Sequence, residues 1–250
     1  MTLNEAIVLV GGRGSRLNAS TENKPKPLVE VNGRPLLYWI IKWLKKNGIK
    51  HIVLAVAYKK EKIYDYLAKN DFGIKIECSE NPPVEGGTAE AFRLAIMKLK
   101  PKGDFIAMNG DELTNMNLTE MEKAHLSYKA TATLALVPLL CKFSVISFDK
   151  DSDQPTVEGH GSKVQKFEYG KIVNELPISI GVYIFNKKIV RHIPRSGSIE
   201  GTVFKKMAGT GKLVGYMLRK GEGWATVNTQ KELKEAEKII AKWGMLDKGI

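Results

Sequence analysis

Aliphatic runs and helically spaced apolar residues alternate along the chain. Residues 6–10, Ala6-Ile7-Val8-Leu9-Val10, form a β-branched and aliphatic run of the kind that makes a buried strand. In 36–47, Leu37, Ile40, Ile41 and Leu44 recur at helical spacing and Gly48 follows as a stop, so a helix is predicted there. Residues 52–56 read as a second buried strand. Residues 61–69 read as a helix carrying Ile63, Tyr66 and Leu67, and 73–78 as an alternating third strand. A helix over 89–98 with Thr88 as its cap and a fourth strand over 104–108 continue the rhythm. Strand–helix alternation of this kind predicts a parallel sheet with right-handed crossovers.

Beyond residue 110 the pattern changes. Asn117-Leu118-Thr119-Glu120 resembles a capping box, opening a helix to about residue 128. Strands are predicted over 131–137, 142–148, 163–169, 177–185 and 211–218, with a polar, turn-rich flap over 149–161. Ser198 opens a further helix. Thr229-Gln230-Lys231-Glu232 caps a last one, with Leu233, Ala236, Ile240 and Trp243 facing inward. The fold class expected is α/β, a three-layer Rossmann-like open, mostly parallel sheet flanked by helices.

The chemistry begins at the loop after the first strand, Gly11-Gly12-Arg13-Gly14-Ser15-Arg16-Leu17. Glycines there free the backbone to turn N–H groups toward a phosphate, and Arg13 and Arg16 add charged donors. Neither a Walker-type ending nor a dinucleotide fingerprint is present, because Gly14-Ser15-Arg16 and Leu17 stand at the diagnostic places. By itself the loop also fits an ordinary strand-to-helix turn. Lys24-Pro25-Lys26-Pro27 then presents Lys26 from a stiff, extended segment.

Together these segments resemble the opening of the sugar-1-phosphate nucleotidyltransferase family, Gly-Gly-x-Gly-Thr-Arg-Leu, a spacer, then Pro-Lys-Pro. Ser15 stands for the usual Thr and keeps the hydroxyl. The resemblance implies one nucleotidyltransferase domain of the nucleotide-diphospho-sugar transferase type over 1–250. Its nucleotide-binding half would be 1–130, its sugar-binding half 131–228 and its C-terminal helix 229–250. It implies Arg16, Lys26 and Asp111 as catalytic residues. Nucleotide contacts fall to Val10, Gly11, Gly12, Gly14, Ser15, Glu80, Gly87, Thr88, Asn109 and Gly110.

Asp111 follows a buried strand, where ligands meet open α/β sheets, and Mg²⁺ takes one or two carboxylates plus phosphate oxygens and waters. The family's Gly-Asp at this place binds the metal, which implies Mg²⁺ at Asp111. Relatives then have Trp-x-Asp-x-Gly-Thr, but here Trp224-Ala225-Thr226-Val227-Asn228-Thr229 puts Thr226 at the second metal Asp. The N-acetylglucosamine-1-phosphate uridylyltransferases use Asn after Val, which makes Asn228 the second ligand. The sugar pocket is carried over to Glu168, Lys171, Ser179, Gly181 and Glu200. Of these, Glu168 and Lys171 are out of register with the family's Glu-Lys-Pro, and Ser179 replaces its Asn.

The net charge of +12 fits substrates that are all anions, steered by a positive field. It also motivates a nucleic-acid reading, but the lysines are scattered and no basic-aromatic stripe accompanies them, so no nucleic-acid partner is expected. The partners expected are an NTP and a sugar 1-phosphate, with a homo-oligomer left open. No apolar run is long enough for a bilayer, no secretory pattern opens the chain, and the two cysteines lack metal-type spacing. A cytoplasmic protein with reduced thiols and no membrane partner is expected. The four histidines show no cluster and read as structural. The opening third resembles mannose- or heptose-1-phosphate guanylyltransferases, while Val227-Asn228-Thr229 resembles uridylyl- or cytidylyltransferases. A non-catalytic nucleotide-sugar-binding regulator is the alternative that Thr226 motivates.

Overall fold

The computed structural model describes residues 2–20, 24–80, 87–140, 144–148, 164–169 and 172–246. In chain order the strands are β1 (Glu5–Leu9), β2 (Glu30–Val31), β3 (Arg34–Pro35), β4 (His51–Val56), β5 (Lys75–Glu80), β6 (Asp104–Asn109) and β7 (Glu112–Thr114). Then follow β8 (Ala132–Leu140), β9 (Ser144–Phe148), β10 (Val164–Tyr169), β11 (Ile172–Asn186), β12 (Leu213–Met217) and β13 (Trp224–Thr226). The helices are α1 (Leu36–Lys46), α2 (Lys60–Ala68), α3 (Gly87–Leu99), α4 (Leu118–Ser127), α5 (Lys205–Met207) and α6 (Gln230–Lys242).

Seven strands form the main sheet in the order β12-β8-β11-β6-β1-β4-β5. β1 lies parallel to both β4 and β6, and β4 is parallel to β5, whereas β11 runs antiparallel to β6. The α/β, mostly parallel, Rossmann-like architecture is therefore as expected. Ala6, Ile7, Val8 and all of Ile52, Val53, Leu54, Ala55 and Val56 are buried, because helices cover both faces of such a sheet. α3 packs across β1, β4 and β5. Its Phe92 meets Phe185 edge-on at 5.7 Å, and Phe185 stacks on Tyr183 at 5.4 Å. Tyr183 and Phe185 share one face of β11 because strand side chains alternate.

The chain divides into two compact units: Met1–Ala135 with Ile180–Ile250, and Leu136–Ser179. The halves divided at 130 and 228 in the sequence reading are a partition of one domain by nucleotide and sugar binding, and these compact units follow a different line. The first unit reunites residues from both expected halves, because β11 returns the chain to β6 at the centre of the sheet. The second unit contains β9 paired antiparallel with β10, with a register shift between Val164 and Lys166. The expected flap over 149–161 lies outside the described residues.

Several local expectations change. Glu80 is the last residue of β5 rather than part of the following loop, of which 81–86 lie outside the described residues. α3 begins at Gly87, whose φ of 64° suits glycine, so Thr88 falls inside the first turn. The Thr88 hydroxyl accepts the Ile199 N–H at 2.9 Å instead of capping. The helix expected from Ser198 begins as a π-helical turn, Glu200–Phe204, and continues as α5. Both caps read from sequence form: Asn117 accepts the Thr119 N–H, and Thr229 accepts the Glu232 N–H. In α6 Ala236 and Ile240 are buried, while Leu233 and Trp243 are half-buried. No helix among the described residues is long and apolar enough to cross a membrane.

Candidate active site

A cavity of about 480 Å³ opens at the C-terminal ends of β1 and β6, a size suited to a small-molecule ligand. Leu9, Val10, Gly11, Gly12, Gly14, Ser15 and Arg16 line it from the first strand and its loop. The parallel pairing puts Leu9 beside Ala55 on one side and Asn109 on the other, so three strand ends open onto one rim. Gly110 can fit only without a side chain: a Cβ there would lie 2.4 Å from the Leu9 carbonyl oxygen. The Gly110 N–H donates to that same oxygen at 2.8 Å. Gly14 adopts a φ of 70°, which turns the chain into the 3₁₀ segment Ser15–Ser20.

Lys26 reaches this rim from a 3₁₀ turn, Lys26–Leu28, and is only 8% exposed. Its Nζ donates to Asp111 Oδ2 at 2.7 Å and to Asn228 Oδ1 at 2.7 Å. Arg16 Nη2 donates to the same Asn228 oxygen at 3.3 Å. Residues separated by as much as 212 positions thus converge on one point. Asn228 arrives there because β13 pairs with β7, setting Thr226 opposite Glu112, and because the Val227 N–H donates to the Asp111 carbonyl. Glu232 of α6 accepts the Asn228 N–H at 3.0 Å, so the cap of α6 anchors the segment.

Behind Asp111, Glu112 is buried at 8% exposure. Its carboxyl accepts from the Trp224 indole at 2.6 Å and from the Thr226 hydroxyl at 3.4 Å. Burial, and then the neighbouring Asp111 charge, push its pKa up to about 8, against those two hydrogen bonds and the Lys26 charge.

Asp111 Oδ2 and Asn228 Oδ1 are hard oxygens converging on the single positive charge of Lys26. One carboxylate and one amide oxygen beside an open cavity suit a Mg²⁺ ion that completes its shell with phosphate and water. No group of three or more His, Cys, Asp and Glu side chains that could hold a metal occurs among the described residues, and such a site needs none.

Of the residues read from sequence, Val10, Gly11, Gly12, Gly14, Ser15, Arg16, Lys26, Gly87, Thr88, Asn109, Gly110, Asp111 and Asn228 all line the cavity. Arg13 does not: its guanidinium lies over the Tyr58 ring, 5.4 Å from the centroid. Glu80 is also absent from the lining, and its carboxylate accepts from Lys60 and from the Tyr64 hydroxyl. Gly181 adopts a φ of 70°, and a Cβ there would lie 2.7 Å from Asn109 Nδ2 and 3.1 Å from Glu112 Cγ. Glu200 is exposed and accepts the Tyr183 hydroxyl at 3.1 Å. Glu168 stands in β10 and exposed Ser179 in β11, both in the second unit; Lys171 lies outside the described residues.

The sequence reading did not single out Ala57, Glu90 and Ala91, which also line the cavity. Glu90 and Ala91 follow Gly87-Thr88-Ala89 in the first turns of α3, and that position was the available signal. Among the described residues, His125 is buried and His51 half-buried. His51 bonds Glu77 at 2.7 Å and His125 bonds the Thr133 hydroxyl at 2.8 Å, both away from the cavity lining.

A glycine loop, a buried ammonium and a carboxylate on the C-terminal rim of a parallel sheet define an α/β protein built to handle phosphates. The chain belongs to the nucleotidyl transferase family, whose model matches residues 5–242. It is 36% identical over 186 residues to the D-glycero-α-D-manno-heptose 1-phosphate guanylyltransferase of Aneurinibacillus thermoaerophilus, a match covering 74% of this chain and 76% of that one. It is 31% identical over 235 residues to the mannose-1-phosphate guanylyltransferase catalytic subunit beta of Danio rerio, covering 91% of this chain but only 62% of that relative. Among solved structures, HddC from Yersinia pseudotuberculosis complexed with GMP-PN shares the fold, with a TM-score of 0.72 and 22% identity over 95% of this chain and 100% of that one. The inositol-1-phosphate CTP transferase of T. maritima does so too, with a TM-score of 0.69 and 20% identity over 100% and 98%. The family resemblance drawn from 11–17 and 25–27 is borne out.

Proposed function

We propose that the protein joins a nucleoside triphosphate to a sugar 1-phosphate, giving a nucleotide sugar and pyrophosphate. We further propose guanine as the base and a mannose- or heptose-type sugar. The observation that carries the reaction is the convergence of Arg16, Lys26, Asp111 and Asn228 on a cavity that the glycine loop also lines. The base and sugar rest on the names of the relatives, which are heptose- and mannose-1-phosphate guanylyltransferases.

In this reaction an oxygen of the sugar phosphate attacks the α-phosphorus of the triphosphate. The bond from that phosphorus to the bridging oxygen breaks, and pyrophosphate leaves with the electron pair. The attacking phosphate is already ionised, so no general base is required. Catalysis then consists of aligning anions and offsetting developing charge.

Arg16 and the backbone N–H groups of Gly11, Gly12, Gly14 and Ser15 would hold the leaving pyrophosphate. Lys26 would meet the reacting phosphates, exchanging part of its contact with Asp111 and Asn228 for phosphate oxygen. Val10, Asn109, Gly110, Gly87 and Thr88 would enclose the nucleoside, and Gly181 and Glu200 would serve the sugar. Asp111 and Asn228 would hold Mg²⁺, which when bound neutralises charge on the triphosphate.

The test is a pyrophosphate-release screen with Mg²⁺. It crosses ATP, GTP, CTP, UTP and dTTP with glucose, mannose, galactose, N-acetylglucosamine and heptose 1-phosphates. Turnover with GTP and mannose or heptose 1-phosphate is expected. Turnover with another NTP would overturn the guanine assignment. Silence across the grid by folded protein that still binds an NTP would overturn the enzymatic reading and favour a nucleotide-sugar sensor, the reading that Thr226 motivates.

A further inference from the structure

An asparagine amide has one end that only accepts hydrogen bonds and one that only donates, and the two ends have almost the same shape. Which end faces the cavity must therefore be decided by the hydrogen-bond partners around it. At Asn228 the oxygen faces Lys26 Nζ and Arg16 Nη2, both obligate donors. The nitrogen faces the Thr226 hydroxyl, donating to Oγ1 at 2.7 Å. The Lys26 contact is one that substrate phosphate competes for, whereas the Thr226 contact is internal to β13 and its exit.

The hydroxyl is in turn set by what lies across the strand pair. Thr226 is registered directly opposite Glu112, whose carboxyl lies 3.4 Å from Oγ1. Glu112 is itself held by the Trp224 indole at 2.6 Å, two residues before Thr226 on the same strand. A carboxyl oxygen behind the hydroxyl offers its hydrogen a long contact, and the 2.7 Å bond from the Asn228 amide takes a lone pair of the hydroxyl oxygen.

We propose that Thr226 is a positioning residue. Its hydroxyl, backed by Glu112, receives an amide hydrogen of Asn228 and keeps the amide oxygen aimed at the point shared by Asp111 and Lys26. On this account Thr226 acts through Asn228 and does not itself touch substrate or cation. The consequence for cation binding rests on the nucleotidyl-transfer reading; the orientation of the amide does not.

The experiment compares Thr226→Val, which keeps the shape without the hydroxyl, with Thr226→Ser, which restores it. Thr226→Ala serves in place of the valine variant if that fails to fold. The first readout is solvent exchange of the Asn228 side-chain amide hydrogens by ¹⁵N NMR, with the resonances assigned by their loss in Asn228→Ala. Exchange should be about tenfold faster in Thr226→Val than in wild type and close to wild type in Thr226→Ser. The second readout is Mn²⁺ affinity by calorimetry in the presence of a non-hydrolysable GTP analogue. Thr226→Val should weaken it roughly tenfold, the usual scale for losing a group that orients a metal ligand, and Thr226→Ser should restore it.

Wild-type exchange in Thr226→Val, or equal defects in the valine and serine variants, would overturn the proposal. Protein that takes up no divalent cation with any triphosphate would instead sink the nucleotidyl-transfer reading, and the exchange rates would still decide the role of Thr226.

Discussion

Lys26 Nζ donates to Asp111 Oδ2 at 2.7 Å, joining a rigid proline-flanked turn to the end of a central strand. The Lys26 side chain is 10% exposed and that of Asp111 26%, so the pair sits at the boundary between core and cavity. Removing either partner leaves a poorly solvated charge alone, and it also strips an aimed charge from the proposed reaction. Lys26→Met and Asp111→Asn are each expected to lose turnover on the order of hundreds-fold, the scale of about 3–4 kcal/mol of barrier. Steady-state pyrophosphate release beside far-ultraviolet circular dichroism checks this. Full turnover by either folded variant at saturating Mg²⁺ would remove that residue from the mechanism.

Arg16 is exposed, and its one described partner at the site is the Asn228 oxygen at 3.3 Å. Its loss should therefore act on phosphate binding and not on the fold. Arg16→Ala should leave the urea midpoint unchanged while kcat/KM falls by roughly a hundredfold or more. A lowered midpoint with normal kcat/KM would mean that the guanidinium is structural.

Two glycines of the rim separate packing from binding. A Cβ at Gly110 would lie 2.4 Å from backbone oxygen of the central strand, whereas one at Gly12 meets nothing within 4 Å. Gly110→Ala should cost roughly 1–3 kcal/mol, as other overpacked sites do. Gly12→Ala should leave the midpoint in place and raise KM for the triphosphate, because its methyl group would stand in the cavity. Denaturant melts and triphosphate titrations distinguish these outcomes.

Glu112 predicts a pH dependence. Its pKa is raised by burial, and secondarily by Asp111, from an ordinary value of 4.5 to about 8. The folded chain therefore holds this proton more tightly than the unfolded one. The contribution is full below 4.5 and is lost as pH rises toward about 8. Glu112→Gln keeps an uncharged side chain throughout, so its stability relative to wild type should climb across that window. Urea midpoints of the metal-free proteins at several pH values test it. A constant difference between the two would show that Glu112 is not titrating there.

What was readable along the chain was whatever depends on near neighbours. The β1 run, the glycines after it, the helical spacing of Leu37, Ile40, Ile41 and Leu44, and the caps at Asn117 and Thr229 are all local patterns. Each of these appears in the structure. The glycine loop and the prolines around Lys26 brought one side of the cavity lining into view, because conformational freedom and rigidity are properties of the residues themselves; Gly87, Thr88, Asn109, Gly110, Asp111 and Asn228 came from the family resemblance.

The rest was decided by pairings between distant segments. Nothing near Lys26 in sequence indicates an ammonium held between Asp111 and Asn228, 85 and 202 positions away. Thr226 and Glu112 are both ordinary strand residues until the antiparallel pairing of β7 with β13 sets them opposite one another. Glu112 has its indole partner at 2.6 Å only because Trp224 arrives from that second strand. Local periodicity says which face of an element is apolar. Which polar groups then share that buried space, and so which charges are shifted and which amide end faces the cavity, depends on contacts that exist only once the chain has closed on itself.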